Sequence, residues 1–133
     1  MSSPCFCTLL RKATRRLGSA YDEVLAPFGI NIAQYSLLRM ITRGGPLSLT
    51  ELGRIAELDR STIGRNVRVL ERMGLLKTGR GEDDQREAVV ILTARGTQVL
   101  EEATPAWERC QRTIENRLGG EKFDALQQIL RAI

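Results

Sequence analysis

The chain has 133 residues, 42% of them hydrophobic, and a formal net charge of +4. This length suits one folded domain, residues 1–133, with its own hydrophobic core. The sequence contains no histidine, and its three cysteines lack the spacing of a disulfide framework, so most metal sites and all histidine-dependent catalytic sites are excluded.

Two further classes of protein fit the sequence poorly. No stretch approaches the roughly 18 apolar residues of a membrane span. The start, "MSSPCFCTLLRK", carries its basic residues after the apolar ones, the reverse of a secretory signal. We therefore expect a cytoplasmic protein that is not an enzyme, needs no metal or cofactor and has no membrane partner.

The first third of the chain has the apolar spacing of two helices. From Leu10 to Phe28 apolar residues recur every three or four positions, which predicts one long amphipathic helix ended by "PFG". The stretch "INIAQYSLLRMI" (30–41) predicts a second helix, ended by Gly44, Gly45 and Pro46.

Short elements follow in the middle of the chain. "LSL" (47–49) predicts a minimal strand, and Thr50 is the expected N-cap of a two-turn helix over "ELGRIAEL". Asp59 is the expected N-cap of the next helix, because its carboxylate also suits the positive end of the helix dipole. Gly74 is its expected stop.

After Gly74 the apolar period changes from 3.6 to 2. "LLKTGR" and "REAVVILT" are rich in branched residues and flank the charged stretch "GEDDQ", which predicts a hairpin with a long tip. An isolated two-stranded hairpin is marginal, so it must pack on the preceding helices.

Helical spacing returns from Ala94 to the end of the chain. We expect a kink or a restart at Thr104 and Pro105, because proline has no amide hydrogen to donate. A last short helix holds Phe123, Leu126, Leu130 and Ile133. The apolar stripes of the terminal helices are too extensive for a chain of this size to cover alone, so residues 1–45 and 95–133 are predicted dimerisation helices of a homodimer.

The helix after Asp59 has two distinct faces. On a helical wheel Ile63, Val67 and Leu70 share one side, whereas Ser61, Arg65, Arg68 and Arg72 share the other. Residues 60–80 hold six basic side chains against one acid, Glu71, a local charge of +5. A solvated surface helix would normally carry acids that pair with these arginines across a turn. The stripe therefore favours a polyanionic partner, although a basic solvated face is the alternative.

The order helix, turn, helix, hairpin indicates a winged helix-turn-helix over residues 46–94, within a fold that is otherwise mainly α. The second helix would read the major groove of double-stranded DNA, and the hairpin tip would reach an adjacent groove or phosphate. Asp84 would orient an arginine by a charge-assisted bond, unless the acids of the tip belong to an ordinary soluble loop. The predicted DNA contacts are Arg60, Ser61, Thr62, Arg65, Asn66, Arg68, Arg80, Asp84 and Arg86.

Residues 47–96, "LSLTELGRIAELDRSTIGRNVRVLERMGLLKTGRGEDDQREAVVILTARG", resemble the DNA-binding lobe of the MarR family of bacterial transcription regulators. The resemblance includes D-x-R (Asp84, Arg86) and "LTxxG" (Leu92, Thr93, Gly96). It implies a homodimer whose first, fifth and sixth helices interlock and whose reading helices meet a palindromic operator, as a repressor would. Gly53 and Glu57 depart from the pattern, which mostly has alanine and a turn glycine there.

The resemblance also implies a choice of effectors. Many family members bind small aromatic anions, and one branch senses organic hydroperoxides with a cysteine near the start of its first helix. Cys7 lies 14 residues before Tyr21, as the sensing cysteine does before one tyrosine partner, but Ile32 stands where the second tyrosine is expected. Arg11 would favour a Cys7 thiolate, and Cys110 would be a resolving thiol. The alternative is that these small residues only fill a dimer interface.

A rival function of another class is a winged-helix module that docks on proteins without reading DNA, because function does not follow from fold. A docking surface would favour exposed aromatic residues, and none lies between Tyr35 and Trp107.

Overall fold

The computed structural model describes residues 3–80 and 88–133, with only the backbone of Arg80. Six α-helices and three short strands make up the described part of the chain. They are α1 (Phe6–Leu25), a 3-10 turn (Ala26–Phe28), α2 (Ile32–Gly44), β1 (Leu47–Ser48), α3 (Leu49–Ala56), α4 (Arg60–Arg72), β2 (Leu76–Arg80), β3 (Ala88–Leu92), α5 (Ala94–Leu118) and α6 (Gly120–Ala132). The predicted mainly α fold with a hairpin wing is confirmed.

The three strands form one antiparallel sheet in the order β1-β3-β2. β2 pairs with β3 from Leu76 opposite Leu92 to Arg80 opposite Ala88. β1 adds two residues on the other side of β3, with Leu47 opposite Val90. The predicted minimal strand therefore anchors the wing to the start of α3, and the hairpin does not stand as an isolated pair.

The hydrophobic core lies where α2, α3, α4, the sheet and the first half of α5 meet. Its fully buried side chains include Leu38, Ile41, Leu52, Ile63, Val67, Leu70, Val90 and Ala103. All three residues predicted for the apolar face of α4 belong to it. The core therefore fixes the orientation of α4 and leaves its opposite face in solvent.

The expected N-cap at Thr50 is wrong. The cap is Ser48, whose Oγ accepts the Glu51 amide hydrogen at 3.0 Å while Glu51 Oε1 accepts the Ser48 amide hydrogen at 3.3 Å. This capping box satisfies two backbone donors reciprocally, so it starts α3 at Leu49, one position before Thr50.

The expected restart at Pro105 does not occur, because α5 runs without interruption from Ala94 to Leu118, and the alternative of a kink at Thr104 and Pro105 stays a prediction. Proline removes one backbone hydrogen bond, to the carbonyl group of Glu101, and Glu101 is exposed so that water can replace it. Thr104 Oγ1 donates to the Leu100 carbonyl oxygen at 2.7 Å within the same turn.

The terminal helices carry much apolar surface that this chain does not cover. Phe6 is 83% exposed, Leu130 67% and Ile133 91%. No residue of α6 is buried. Among the described residues no single helix has the length and apolar character to cross a membrane, and α1 and α2 meet that test only together, across a bend of 73°.

Candidate nucleic-acid interface

α4, the predicted reading helix, begins at an acidic cap. Asp59 Oδ1 accepts the Thr62 amide hydrogen at 2.8 Å and the Ser61 hydroxyl hydrogen at 2.9 Å. The hydrogen bond from the Thr62 amide is the main cause that lowers the pKa of Asp59, and the Ser61 hydroxyl adds to it. The prediction of Asp59 as N-cap is confirmed, and Ser61 is exposed in the first turn.

α4 ends in a Schellman motif at Gly74. Gly74 has φ 78°, its amide donates to Glu71 O at 2.9 Å, and the Leu75 amide donates to Leu70 O at 3.0 Å. A left-handed residue just past the last turn favours glycine, so the predicted stop is confirmed. The two caps hold α4 to 13 residues.

The outward face of α4 is basic. Arg65, Arg68 and Arg72 are exposed, on the side opposite the buried Ile63 and Val67. Arg65 Nη2 donates to Thr62 Oγ1 at 3.4 Å, which orients its guanidinium group along the first two turns. Guanidinium groups bind phosphate and guanine edges in a planar, bidentate way, so this face has the chemistry of a groove-binding surface.

Two of the predicted base contacts are less open than their neighbours. Thr62 and Asn66 are half-buried. Asn66 lines a small crevice of about 120 Å³ together with Asn31 and Gln34 at the start of α2. Sequence periodicity could not show this, because α2 approaches α4 only in the folded chain. The other predicted contacts on α4, Arg60, Ser61, Arg65 and Arg68, are exposed.

The wing is described only in part. β2 and β3 are paired as far as Arg80 opposite Ala88. The predicted contacts Asp84 and Arg86 lie outside the described residues, as does the side chain of Arg80. The predicted Asp84–arginine bond therefore stays a prediction.

The "LTxxG" segment joins the wing to α4 and α5. Thr93 Oγ1 donates to Gly74 O at 2.6 Å and accepts the Gly96 amide hydrogen at 3.0 Å, so one hydroxyl group holds the turn after α4 and caps α5. A Cβ at Gly96 would lie 2.0 Å from Leu75 O. The motif is therefore a packing device that sets the wing against the reading helix.

Three aromatic side chains stack where α1, α2 and α5 meet; we call them the aromatic cluster (Tyr21, Tyr35, Trp107). The ring of Trp107 lies 5.6 Å from Tyr35 and 6.4 Å from Tyr21, centre to centre. The Arg39 guanidinium carbon lies 4.2 Å from the Trp107 ring centre, a cation–π contact. An open crevice of about 260 Å³ adjoins the cluster, lined by Tyr35, Ser36, Arg39, Met40, Arg43 and Trp107. No sequence pattern singled out Arg39 and Arg43, because α5 completes their surroundings.

The predicted sulfur site is divided in the structure. Cys5 and Cys7 are exposed at the start of α1, whereas Cys110 is half-buried in α5. Tyr21 hydrogen-bonds Gln111, the neighbour of Cys110, and not Cys7. Fourteen residues of helix separate Cys7 from Tyr21 by roughly 21 Å, so one subunit cannot bring them together.

The side chains of Cys5, Cys110 and Tyr21 differ in the direction in which their pKa is shifted. Hydrogen bonds from Thr8, its side chain first, lower the pKa of Cys5. Burial raises the pKa of Cys110, with a further contribution from the Glu23 charge. Burial also raises the pKa of Tyr21, ahead of the charges of Cys110 and Glu115. Cys5, which no sequence pattern singled out, therefore has a more acidic thiol than usual, and Cys110 a less acidic one. Within residues 3–80 and 88–133, no group of three or more possible ligands is placed to hold a metal ion.

Comparison with solved structures places the whole chain beside transcription regulators. It is 32% identical to the Mycobacterium tuberculosis transcriptional regulator MOSR, solved in complex with DNA, with a TM-score of 0.82 over 97% of this chain and 98% of that one. A probable transcriptional regulator from Pseudomonas aeruginosa is 26% identical, with a TM-score of 0.84 over 96% of each chain.

Comparison of sequences gives the same result. The organic hydroperoxide resistance transcriptional regulator of Bacillus subtilis is 28% identical over 73% of this chain and 66% of its own length. The match therefore spans about two thirds of that relative. The model of the MarR family matches residues 28–87. The chain belongs to the MarR family of DNA-binding transcription regulators, and not to a family of enzymes.

Proposed function

We propose that this chain is a homodimeric, sequence-specific regulator, a repressor that binds a palindromic operator with the α4 helices of its two subunits. The observation that carries the proposal is the exposed arginine face of α4, fixed at both ends by the caps at Asp59 and Gly74. The twofold axis of the dimer would set the two helices one DNA turn apart, roughly 34 Å.

The division of roles follows from position along α4. Ser61 and Arg65 lie in the first two turns, where an N-terminal helix end reaches base edges. Arg72 lies in the last turn, where phosphate is the nearer partner. The MOSR regulator, which was solved in complex with DNA and is 32% identical to this chain, supports DNA as the partner of this chain.

The exposed apolar side chains of α1 and α6 support the homodimer. Phe6, Phe123, Leu126, Ile129, Leu130 and Ile133 each keep about half or more of their surface exposed in the single chain. Burial of apolar surface stabilises an interface by about 25 cal/mol per Å². A second copy related by a twofold axis would bring its own exposed apolar side chains of α1 and α6 against these.

The crevice beside the aromatic cluster supports release by a small aromatic anion. Trp107 and Met40 give the crevice an apolar wall, and Arg39 and Arg43 give it positive charge. A ligand in the crevice would contact α2 and α5 together. It would release DNA by binding more tightly to a conformation in which the two α4 helices no longer fit the operator.

Thiol oxidation by an organic hydroperoxide is the second mode of release that we propose. Cys7 is exposed, and one relative is named for organic hydroperoxide resistance. The thiolate would attack the peroxide O–O bond, giving a sulfenic acid and an alcohol. Because Cys7 and Tyr21 are far apart along α1, their pairing would need two subunits.

A gel shift with the DNA upstream of the gene that encodes this chain, the upstream duplex, tests the proposal. The parent protein should retard that DNA at concentrations that leave a random duplex of equal length unbound. Removing one half-site of the palindromic operator should weaken binding sharply. Cumene hydroperoxide or salicylate should release the protein from the DNA. Cys7→Ser should resist the peroxide and still respond to salicylate; a variant released by peroxide as readily as the parent would remove the thiol mode.

The rival function is docking on another protein without reading DNA. It predicts that the protein does not retard the upstream DNA in the gel shift. The absence of aromatic residues between Tyr35 and Trp107 favours DNA over protein as the partner of the lobe. A gene regulator acts in the bacterial cytoplasm, which is the location we propose.

A further inference from the structure

The net positive charge of the chain is concentrated at its start. Residues 1–21 contain four basic side chains and no acid, whereas residues 22–133 contain 16 basic and 16 acidic side chains. The four cations, which we call the α1 basic band, are Arg11, Lys12, Arg15 and Arg16. The surplus charge of the molecule therefore lies on α1, a helix that the proposed reading of DNA by α4 does not use.

The α1 basic band occupies one side of its helix, and all four side chains are exposed. At 100° per residue they fall within an arc of about 140°. Tyr21, Val24 and Leu25, which pack on the hydrophobic core, lie on the opposite side. The band therefore faces away from the elements against which α1 packs.

The acids closest to the band along α1 and α5 do not neutralise it. Asp22 is the first acid of α1, and its Oδ1 accepts the Ile32 amide hydrogen at 2.8 Å. Glu23 follows Arg16 by two turns, roughly 10 Å along the axis. Glu115 of α5 lies beside Tyr21, on the opposite side of α1. A helical surface helix normally pairs its cations with acids three or four residues away, and the band has none at those positions.

We propose that the α1 basic band is a second nucleic-acid surface, which holds the phosphate backbone of a duplex other than the operator without reading its sequence. The inference goes beyond the proposed function, because the α4 helices would engage only the operator. From Arg11 to Arg16 the band is roughly 7.5 Å long. Duplex DNA carries one negative charge per about 1.7 Å of its axis, so the band would face several phosphates at once.

The proposed homodimer would leave the band accessible. It would cover the apolar side of α1, where Phe6 is 83% exposed in the single chain, and the band lies on the other side. Each subunit would present its own band, so one dimer would hold the operator with its α4 helices and a second segment of DNA with α1.

Duplex DNA suits the band better than an anionic membrane does. A helix lies in a membrane interface by burying its apolar face in lipid. The apolar face of α1 is already engaged within the chain, because Leu25 is fully buried and Tyr21 stacks on Trp107 and hydrogen-bonds Gln111. Charge alone remains for a partner, and charge alone is enough for sequence-independent binding of DNA, through release of counterions.

A capture assay tests the second surface. The upstream duplex is fixed to beads and saturated with protein, and a fluorescent random duplex is added at about 50 mM salt. The parent should retain the random duplex, and it should lose most of it at about 200 mM salt. A variant with Arg11→Gln, Lys12→Gln, Arg15→Gln and Arg16→Gln should retain less than about a tenth as much, while its Kd for the upstream duplex stays within about threefold of the parent.

Two control variants separate the band from folding and from total charge. Arg11→Lys combined with Arg15→Lys and Arg16→Lys keeps the charge, so it should retain the random duplex as the parent does. The second control removes four charges from exposed positions of α5 and α6, with Arg109→Gln, Arg112→Gln, Lys122→Gln and Arg131→Gln. Its retention should stay within about twofold of the parent.

Retention by the glutamine variant equal to that of the parent, or an equal loss in the α5 and α6 control, would overturn the inference and leave the proposed function intact. Binding of the parent to vesicles of phosphatidylglycerol and phosphatidylcholine, with no random duplex retained, would assign the band to a membrane and also overturn it.

Failure of the parent to bind the upstream duplex would overturn the proposed function and not this inference. The band is then tested without the operator, by fluorescence anisotropy with the random duplex and Arg65→Ala combined with Arg68→Ala. This double variant should still bind, and adding the four glutamines should weaken it at least about tenfold. No effect of the glutamines would overturn the inference.

Discussion

Asp59 links the start of the reading helix to pH. Its carboxylate accepts two hydrogen bonds, and these lower its pKa in the folded chain. A lowered folded-state pKa means that the cap contributes stability above the unfolded value, about 3.9, and loses it as pH falls through the folded value.

Asp59→Ala should therefore lower Tm by a few degrees at pH 7, and the difference from the parent should shrink below about pH 4. Asp59→Asn is the control, because an amide oxygen still caps a helix but does not titrate. Thermal melts followed by circular dichroism between pH 7 and pH 3 measure both variants. A deficit of Asp59→Ala that stayed constant across this range would contradict the titrating cap.

Glu57 carries backbone strain at the turn between α3 and α4. It has φ 54° and ψ 45°, the only non-glycine residue with positive φ among residues 3–80 and 88–133. Glu57→Gly should raise the free energy of unfolding by about 0.5–1 kcal/mol, measured by urea denaturation, because glycine adopts this conformation without a steric penalty. Glu57→Ala keeps the Cβ and should gain nothing. Equal stabilisation by alanine and glycine would mean that the charge, and not the backbone, carries the cost.

At the scale of elements, residue spacing predicted most of the fold. The period of apolar residues located α1, α2, α4 and α5, and the change to period 2 after Gly74 located the wing. The turn chemistry of Asp59 and Gly74 predicted both ends of α4 because those caps are local.

The errors came from competition between neighbouring signals. Ser48 lies in the predicted strand, but a strand residue can also cap the next helix, and here it does so in place of Thr50. Pro105 does not break α5, because an exposed helix turn tolerates the loss of one backbone hydrogen bond. The crevice beside the aromatic cluster and the Arg39–Trp107 contact join residues from different elements, and no spacing rule in one sequence can predict them.

Gly96 shows how one element depends on another. Its Cα faces the Leu75 carbonyl group so closely that a Cβ would stand 2.0 Å from the oxygen. Gly96→Ala should therefore destabilise the chain by about 2–4 kcal/mol in urea denaturation, because backbone and not a flexible side chain must move. Gly18→Ala in α1, where a Cβ has nothing within 4 Å, should be neutral or stabilising. Equal effects of the two substitutions would contradict the close approach.

At the scale of the whole molecule, one hydrophobic core joins α2, α3, α4, the sheet and the first half of α5, and α6 contributes no buried residue to it. Leu100 and Ala103 of α5 are buried against the lobe, but no residue of α6 is buried. The proposed homodimer would account for this exposed surface, since two copies would cover each other's apolar stripes.

Phe123→Glu combined with Leu130→Glu should raise the Kd of the dimer at least about tenfold, because two charges would have to leave water in the interface. Sedimentation velocity over a range of concentrations measures this. Gln128→Glu, on another face of α6, should leave the dimer intact. A double variant that sediments like the parent at every concentration would place the interface elsewhere.

The central claim is that the arginine face of α4 reads DNA, and a salt titration of Arg65→Ala beside the parent tests it most directly. Fluorescence anisotropy would give Kd for the upstream duplex and for a random duplex from about 50 to about 200 mM salt. The parent should prefer the upstream duplex, with affinity that falls steeply as salt rises. Arg65→Ala should lose much of that preference, whereas Arg86→Ala should weaken both duplexes by a similar factor. A flat salt response, or an unchanged preference in Arg65→Ala, would contradict the account.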